Sequence, residues 1–274
     1  MGAVALLQLS PTKAATWLDC PRKFYLTYVV KVRGGQPWAH FTYANAVHAV
    51  LREWFDVPKE QRSPETVTEV MARVWSHAGF RDDDQSRTWQ QHAIDIIRVY
   101  LADVDPDFEP MSTERTLAFK TDTFIMQGRI DRLDRCGDSV EIVDYKTGKS
   151  IPTSDDVRGS QALAMYALMV QRSLGETCTK VSLHHVPSST CISWAHNDES
   201  ISRHERRVAG IAADITRAQH TWESVDEDLD MRDELFPAQP GPLCGFCDFW
   251  ELCDVGQAYT ERKRPWDGLA DIGA

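Results

Sequence analysis

Apolar residues recur every three or four positions over much of the first hundred residues, the spacing that places side chains on one face of a helix. Two of these stretches begin with serine followed by proline, at Ser10 and Ser63. That pair favours a helix start, because serine caps the free amides and proline fits the first turn. Pro21 interrupts the first stretch and places Cys20 at a junction between helices. The pattern predicts helices from Ser10, over 41–55, from Ser63 to a stop at Gly79, and over 82–104.

The period shortens after residue 110, where apolar and polar residues begin to alternate as they do along strands. The predicted strands are 113–120, 123–135, 138–146, 179–186 and 191–196, and the predicted helices are 160–174 and 199–222. This order predicts an α/β fold with a mixed central sheet, flanked by the N-terminal helices. We therefore divide the chain into a helical region (1–110), a core (111–225) and a C-terminal region (226–274) that begins with an acidic linker.

Composition is that of an ordinary globular protein, with 42% hydrophobic and 26% charged residues. No apolar run approaches the length of a membrane span, and the short apolar start lacks basic residues, so we expect a cytoplasmic protein with no membrane partner. The net charge of −11 is unusual for a nucleic-acid-binding protein, but contacts with phosphates are local. Basic residues do gather near the strands that carry the candidate chemistry.

The apolar run 140–143 predicts a buried strand that ends in Asp144-x-Lys146. Side chains alternate along a strand, so Asp144 and Lys146 project on the same side. Asp131 follows another strand-like run, thirteen residues earlier. Two acids that can hold a divalent cation, beside an ammonium that can steady a water molecule or a phosphate oxygen, suit metal-assisted cleavage of a phosphodiester.

These motifs carry a family resemblance. Gly128-x-x-Asp131 followed by Asp144-x-Lys146 resembles the PD-(D/E)xK nuclease superfamily. Three further features narrow the resemblance to RecB-type exonucleases with an iron–sulfur cluster, a group that includes CRISPR-associated relatives. They are His48 within an apolar helix, the segment 18–24 around Cys20, and the motif Cys244-x-x-Cys247-x5-Cys253. The resemblance extends from about Ser10 to Cys253 and implies a restriction-endonuclease-like fold.

The resemblance also implies roles for the residues of the metal site. Asp131 and Asp144 would hold one or two divalent ions, Mg²⁺ or Mn²⁺, with the carbonyl of Tyr145 as a further ligand, and Lys146 would orient or help to deprotonate the attacking water. His48 resembles the family's additional metal ligand, and an imidazole shifts the preference toward Mn²⁺. From its position at the edge of an apolar stripe alone, His48 is more typical of a core or boundary residue, and the resemblance favours the ligand.

Three other residues resemble members of the family's active site. Glu114 matches an acid ahead of the Gly-x-x-Asp motif in relatives, and a salt bridge at a strand edge explains it equally well. Gln161 and Tyr166 match a glutamine and a tyrosine that assist catalysis from the helix after the lysine. Relatives space this pair four apart, whereas here the residues are five apart and do not share a helical face. Either the helix begins irregularly or only Tyr166 keeps the role.

Contacts with DNA are expected from basic and aromatic side chains. The predicted phosphate contacts are Arg22, Lys23, Arg129 and Lys149. Four aromatic residues are either stacking surfaces for unpaired bases or parts of the core, namely Trp17, Phe24, Tyr25 and Phe246.

Seven cysteines in a chain without an export signal should be thiols or metal ligands rather than disulfides. The C-terminal trio fits a zinc site completed by a histidine or a distant cysteine. The family resemblance favours instead a [4Fe–4S] cluster bound by Cys20, Cys244, Cys247 and Cys253. Such a cluster would be structural, because it would close almost the whole chain into one loop. The remaining cysteines, Cys136, Cys178 and Cys191, are interpreted as ordinary thiols.

Two functions remain open. The favoured prediction is a metal-dependent DNA exonuclease that acts on single strands or DNA ends in repair or recombination. The alternative is a non-catalytic DNA-end-binding or scaffold subunit of a helicase–nuclease complex, although such a relative would be expected to have lost an acid or the lysine. The chain contains no Gly-x-x-x-x-Gly-Lys-[Ser/Thr] loop, so any ATP-driven unwinding needs a helicase partner in another chain.

Overall fold

The computed structural model describes residues 6–35, 37–178, 180–225, 229–269 and 271–272. Two compact units make up the chain, and the segments that form them alternate along the sequence. The cysteine unit consists of Met1–Gln36, Ala118–Gly128 and Ser202–Arg264. The carboxylate unit consists of Pro37–Leu117, Arg129–Ile201 and Pro265–Ala274. This division by spatial contacts does not test the three consecutive regions predicted from the sequence, so those regions stay a prediction.

Most of the predicted elements are present. In chain order the α-helices of the described residues are α1 (Pro11–Asp19), α2 (Pro21–Phe24), α3 (Ala39–Asp56), α4 (Pro64–Val74), α5 (Asp83–Ala102), α6 (Ser154–Gly159), α7 (Gln161–Leu174), α8 (Asp198–Glu223), α9 (Leu229–Leu235) and α10 (Asp254–Tyr259). The strands are β1 (Leu7–Leu9), β2 (Ser112–Lys120), β3 (Phe124–Cys136), β4 (Ser139–Lys146), β5 (Lys180–His185) and β6 (Thr190–Ala195). Of the helices described, none has both the length and the apolar character needed to cross a membrane.

Helices α3, α4 and α5 pack together in the carboxylate unit and supply most of one apolar core. The predicted caps form, since Ser63 Oγ accepts a hydrogen bond from the Thr66 amide at 3.4 Å and starts α4. Val143 and Tyr145 of β4 are buried in the same core. The helical layer therefore holds the strand that carries the Asp-x-Lys motif.

Gly79 does not end a helix as predicted, because α4 already stops at Val74. Gly79 has a φ of +85°, and a Cβ at this position would lie 2.4 Å from the Pro37 carbonyl oxygen and 2.5 Å from the Ala39 amide nitrogen. Only glycine fits this close approach of a loop to the start of α3. Thr42 Oγ1 also donates a hydrogen bond to the Ala78 carbonyl at 2.9 Å. The first turn of α3 is therefore held in place by this loop.

The strands of the carboxylate unit confirm a mixed sheet. β3 and β4 are antiparallel, β4 and β5 are parallel, and β5 and β6 are antiparallel. β2 pairs with β3, and α7 packs against β4 and β5. In the β3–β4 register Arg132 lies opposite Val143, and one further step sets Asp131 opposite Asp144. Asp131 therefore lies in the middle of β3, and the sheet register brings the two acids together.

The cysteine unit has an aromatic core of its own. Tyr25 and Phe236 have ring centroids 4.9 Å apart, and Trp17 meets Phe24 edge-on at 5.4 Å. Three of the aromatic residues considered for base stacking are therefore core residues, and Phe24 is fully buried. Strand β1 pairs in parallel with Phe124–Met126 of β3 in this unit.

Two parts of the C-terminal half differ from the sequence prediction. Helix α9 occupies most of the expected acidic linker, since Leu235 and Phe236 are drawn into the aromatic core. Helix α6 was not predicted, and it starts with a capping box between Thr153 and Asp156. The first residues of the predicted linker, 226–228, and the first residue of the predicted strand at 179 lie outside the described residues.

Candidate active site and cysteine cavity

Three potential metal ligands converge in the carboxylate unit. Ligand atoms of His48 on α3, Glu114 on β2 and Asp131 on β3 all lie within 4.8 Å of one another. His48 Nδ1 is 3.4 Å from Asp131 Oδ2, which also accepts a 2.9 Å hydrogen bond from the Tyr145 amide. Across the described part of the chain, no other trio of His, Cys, Asp or Glu side chains is packed so closely. One imidazole and two carboxylates form a donor set that suits a divalent transition metal such as Mn²⁺.

Asp144 and Lys146 form the second part of this site. Lys146 Nζ lies 2.6 Å from Asp144 Oδ2, so the two ends of the motif meet on one face of β4. Burial raises the pKa of Asp144; the Lys146 ammonium opposes this shift, and the charge of Asp131 adds to it. Asp144 is not one of the trio within 4.8 Å, but its charge also acts on His48. The site thus crowds several carboxylates around one ammonium and one imidazole.

The pKa shifts of His48 and Glu114 report the same crowding. Burial by itself would lower the pKa of His48, but its hydrogen bond to Asp131 and the charges of Asp131, Asp144 and Glu114 outweigh burial and raise that pKa. Burial raises the pKa of Glu114, with Arg129 opposing and Asp131 adding to the shift. A bound cation would stabilise the charged carboxylates in this setting.

Glu114 combines a strained backbone with two charged neighbours. Its φ of 45° lies in the left-handed region, which is costly for a residue other than glycine. Its Oε2 lies 2.6 Å from Arg129 Nε, and the Arg129 side chain is 67% exposed. The geometry accommodates both sequence-based interpretations, because the same carboxylate faces the salt-bridge partner and the other two members of the trio.

Tyr145 links the site to the core through three separate groups. Its amide holds Asp131, its ring packs edge-on against His48 with centroids 5.8 Å apart, and its hydroxyl accepts a 3.0 Å hydrogen bond from Arg132 Nη1. Sequence reasoning assigned only the carbonyl of this residue. The phenol and the ring make Tyr145 a positioning residue for two of the three potential ligands.

Arg132 supports Tyr145 from within the core. Its side chain is 6% exposed, and it donates two hydrogen bonds to Asp134 Oδ2, of 3.1 and 2.9 Å. The guanidinium also lies over the rings of Phe55 and Phe108, at 5.2 and 5.6 Å from their centroids. No local pattern distinguishes Arg132 from an exposed arginine, so sequence reasoning missed this residue.

Helix α7 carries Tyr166 within reach of the charges of the site, and Gln161 lies on a different face of the helix. Burial raises the pKa of Tyr166, and the nearby charges of Asp144 and Asp131 add to the shift. The helix begins regularly, since Ser160 Oγ accepts a 3.2 Å hydrogen bond from the Leu163 amide and Gln161 is the first helical residue. An irregular start that would align the pair is therefore not present in this helix.

The four predicted DNA-binding residues have different environments. Arg129 and Lys149 are exposed in the carboxylate unit. Arg22 is buried in the cysteine unit, where its Nε donates a 3.0 Å hydrogen bond to the Phe236 carbonyl and its guanidinium pairs with Asp233. These bonds hold Arg22 within the unit, and its contact with a phosphate stays a prediction. Lys23 lines a cavity in the same unit.

That cavity is lined by the four cysteines expected to bind a cluster. It has a volume of about 260 Å³, and its walls include Cys20, Cys244, Cys247 and Cys253. The Gly241 and Gly256 amides donate to the sulfurs of Cys244 and Cys253, at 3.3 and 3.4 Å. Burial is the largest cause of the raised pKa of Cys247. The two ends of the described cysteine unit thus meet around one cavity, with thiols facing it and amides oriented toward sulfur.

Comparisons with known proteins agree with this geometry. A family model described as the PD-(D/E)XK nuclease superfamily matches residues 8–254. The chain is similar to a candidate exonuclease from Eubacterium rectale, with a TM-score of 0.50 and 11% identity over 94% of this chain and 90% of that one. It also matches the structure of SSO0001, with a TM-score of 0.41 and 11% identity over 93% and 89% of the two chains. No curated protein matches the sequence. At this identity the first likeness shows a shared fold alone.

Proposed function

The chain belongs to the PD-(D/E)XK nuclease superfamily, and from this premise we propose that it is a divalent-metal-dependent DNA exonuclease of the RecB type that also carries a [4Fe–4S] cluster. The meeting of His48, Glu114 and Asp131 within 4.8 Å, beside the Asp144–Lys146 pair, is the observation that carries the nuclease proposal. The proposed substrates are single-stranded DNA and DNA ends, in repair or recombination.

The donor set supports a metal-dependent mechanism. His48, Glu114, Asp131 and Asp144 would hold one or two ions, with the carbonyl of Tyr145 as a further ligand. When bound, the ion supplies Lewis-acid stabilisation of charge on the phosphate. The crowded carboxylates fit such an ion, because burial and mutual repulsion disfavour their charged forms without it.

The side chains of the protein would perform the remaining steps. The Lys146 ammonium, 46% exposed and anchored to Asp144, orients the attacking water, and its positive charge favours loss of that water's proton to the solvent. The water oxygen forms a bond to phosphorus as the bond to the departing nucleotide breaks. Arg129 is placed to contact a phosphate oxygen while Glu114 holds its guanidinium. Tyr166 borders the reacting groups from α7.

The cysteine cavity supports the cluster proposal over a single zinc ion. Four thiolates around one zinc ion would lie about 3.8 Å apart, because the Zn–S distance is about 2.3 Å. Among the described residues no three cysteine sulfurs approach within 4.8 Å of one another. The cavity of about 260 Å³ has room for a group of several atoms. Amides that donate to cysteine sulfur also suit a cluster, whose reduction potential depends on such bonds.

A degradation assay tests the nuclease proposal. End-labelled single-stranded and duplex DNA, with each end blocked in turn, is incubated with the protein in Mg²⁺ and in Mn²⁺. We expect stepwise loss of nucleotides from one unblocked end, only with a divalent ion. Asp144→Asn is the matched control, because the shape of the side chain is kept and its charge is removed. DNA binding without degradation in both metals would support the scaffold alternative instead, with a helicase partner supplying activity.

A further inference from the structure

Helix α3 carries a stripe of accessible residues that includes His48. Its members are Phe41, Asn45, His48 and Arg52. At 3.6 residues per turn, these positions fall within about 60° of one another around the helix axis. Phe41 is 58% exposed, whereas the opposite side of the same helix is buried and hydrophobic. The stripe therefore joins an exposed aromatic ring, a potential metal ligand and a cation in one line.

We propose that this stripe is the track along which an unpaired DNA strand enters the carboxylate site, with one base stacked on the ring of Phe41. This inference rests on the proposed nuclease function and adds the feature that selects single strands. A base in a duplex has both faces covered by its neighbours, whereas an unpaired base offers a free face to an aromatic ring. A ring on the track therefore favours unpaired DNA without reading its sequence.

The position of Phe41 is fixed by its surroundings. The neighbouring His40 ring packs against Phe41 with centroids 4.4 Å apart. A Cβ at Gly268 would lie only 2.4 Å from His40 Nδ1, so backbone is pressed against that imidazole. Gly79 presses in the same way on the residues that precede α3. A side chain that is exposed yet held on a rigid base suits stacking, because little conformational freedom is lost when a base binds.

Charge along the stripe matches a nucleic-acid strand. Arg52 lies one turn beyond His48, and its side chain is 39% exposed and paired with Glu53 at 3.0 Å. Its charge already acts on Glu114 across the site. Arg129, 67% exposed, contributes a second cation beside the same carboxylate. Along α3 the cations therefore lie beyond His48 toward the C-terminal end of the helix, and Phe41 lies toward its N-terminal end.

The spacing sets where the stacked base should lie. Phe41 and His48 are seven residues apart, which is about 10.5 Å along the helix axis at a rise of about 1.5 Å per residue. That distance corresponds to about three stacked nucleotides at about 3.4 Å each, and to fewer in an extended strand. The base on Phe41 should therefore be two or three nucleotides from the phosphate at the metal site.

Binding of a short oligonucleotide in EDTA tests the inference without cleavage. The probes are a single strand with 2-aminopurine at one position at a time, and the same strand with an abasic site at that position. We expect the full-length wild type to quench 2-aminopurine most at one position. Phe41→Ala should remove this quenching and weaken binding about 5- to 100-fold. The wild type should bind the strand that is abasic at that position as weakly as Phe41→Ala binds the intact strand.

Three variants isolate the stacking ring. Phe41→Tyr should keep affinity and quenching, whereas Phe41→Leu, which is apolar but not flat, should behave like Phe41→Ala. Val99→Ala, which removes another exposed apolar side chain of the same unit, should have no effect. Circular dichroism checks that every variant is folded.

Equal affinity and equal quenching in Phe41→Ala and the wild type would overturn the inference, and so would full affinity in Phe41→Leu. The Phe41 ring would then contact another protein or have no binding role. Degradation by the wild type, measured in parallel, separates this result from failure of the nuclease proposal. A wild type that stacks the base without degrading DNA would overturn the proposed function and leave the track standing.

Discussion

The carboxylate site and the cysteine cavity place opposite energetic demands on the fold. Around Asp131 the chain crowds carboxylates whose pKa values are raised by burial, and it holds Glu114 at a strained φ of 45°. Around Cys247 it gathers four cysteine side chains in one cavity, where backbone amides donate hydrogen bonds to the sulfurs of Cys244 and Cys253. The crowded carboxylates should therefore lower the free energy of unfolding unless a cation neutralises them. The cysteine cavity carries no comparable electrostatic cost.

This difference separates activity from stability. Neutralising one member of a crowded charge cluster relieves electrostatic repulsion in the folded state, although it also removes a catalytic group. Removing one ligand of a group that joins distant parts of the chain does the reverse, because the closed loop is lost. The two sites should therefore respond in opposite directions when their ligands are replaced.

The largest expected effect is on catalysis at the carboxylate site. Asp144→Asn should lower the rate of DNA cleavage by about a thousandfold or more, because the charge of a proposed metal ligand beside the reacting phosphate is removed. Its melting temperature should stay unchanged or rise, since burial and Asp131 both disfavour the native carboxylate. Asp155→Asn, at an exposed acid on α6, is the control and should change neither quantity. A destabilised Asp144→Asn protein would contradict the comparison.

The cysteine cavity should show the opposite result. Cys20→Ser should abolish iron and sulfide binding and lower the free energy of unfolding by about 2–5 kcal/mol, the range for losing a cross-link in a long loop. Cys191→Ser, at an exposed cysteine of the carboxylate unit, should keep normal iron content and stability. Colourless protein with one zinc ion and full stability would rule out the cluster. A normal iron content in Cys20→Ser would show that Cys20 is not a ligand of the cluster.

Acid should destabilise the carboxylate unit through a buried histidine. Burial, with Arg132 adding, lowers the pKa of His184 to about 4, and Tyr100 Oη lies 2.7 Å from its Nδ1. The unfolded chain binds a proton near its ordinary pKa of 6.5, so stability is complete above that pH and falls as pH drops toward 4. The loss should reach at most about 3 kcal/mol.

His184→Gln should flatten this part of the stability–pH curve, measured by urea unfolding between pH 7 and 4. His220→Gln, at a histidine of the cysteine unit, is the control and should leave the curve unchanged. An identical slope in wild type and His184→Gln would show that His184 is not the group that titrates.

The smallest expected effect sharpens the role of Tyr145. Tyr145→Phe keeps the hydrogen bond from the backbone amide to Asp131 and the ring contact with His48. It removes the hydroxyl that accepts a hydrogen bond from Arg132. We expect Mn²⁺ affinity, measured by calorimetry, to fall about tenfold, as for other groups that support metal ligands indirectly. Tyr43→Phe, in the same apolar core, should not change Mn²⁺ affinity. If Tyr145→Phe binds Mn²⁺ with unchanged affinity, the Tyr145 hydroxyl stabilises the core but does not position the metal ligands.

Local patterns predicted the elements well because helix and strand periods are short-range signals. Helix α3 and strand β4 appear close to their predicted bounds, and Asp131 and Asp144 meet because the strand register follows from alternation. The motif predicted which side chains converge. It could not predict that Tyr145 positions two of them through its amide and ring.

Long-range contacts explain what local patterns did not reveal. Arg22 is buried and donates a hydrogen bond to a carbonyl 214 residues away, a partner that its basic surroundings in the sequence do not indicate. Gly79 looked like a helix stop, but its φ and its lack of a side chain serve a contact with the start of α3. No local pattern reveals such partners, since charge and glycine content do not show which surface will cover a residue.

The alternation of segments between the units also determines when each site can form during synthesis. Cys253 leaves the ribosome 233 residues after Cys20. At about 5–20 residues per second, Cys20 waits between about 10 and 50 s for the last of its proposed partners. The carboxylate unit is also incomplete until its final segment, Pro265–Ala274, emerges. Insertion of the proposed cluster would therefore follow synthesis of all four cysteines, and Cys20 would lack its proposed partners for most of that interval.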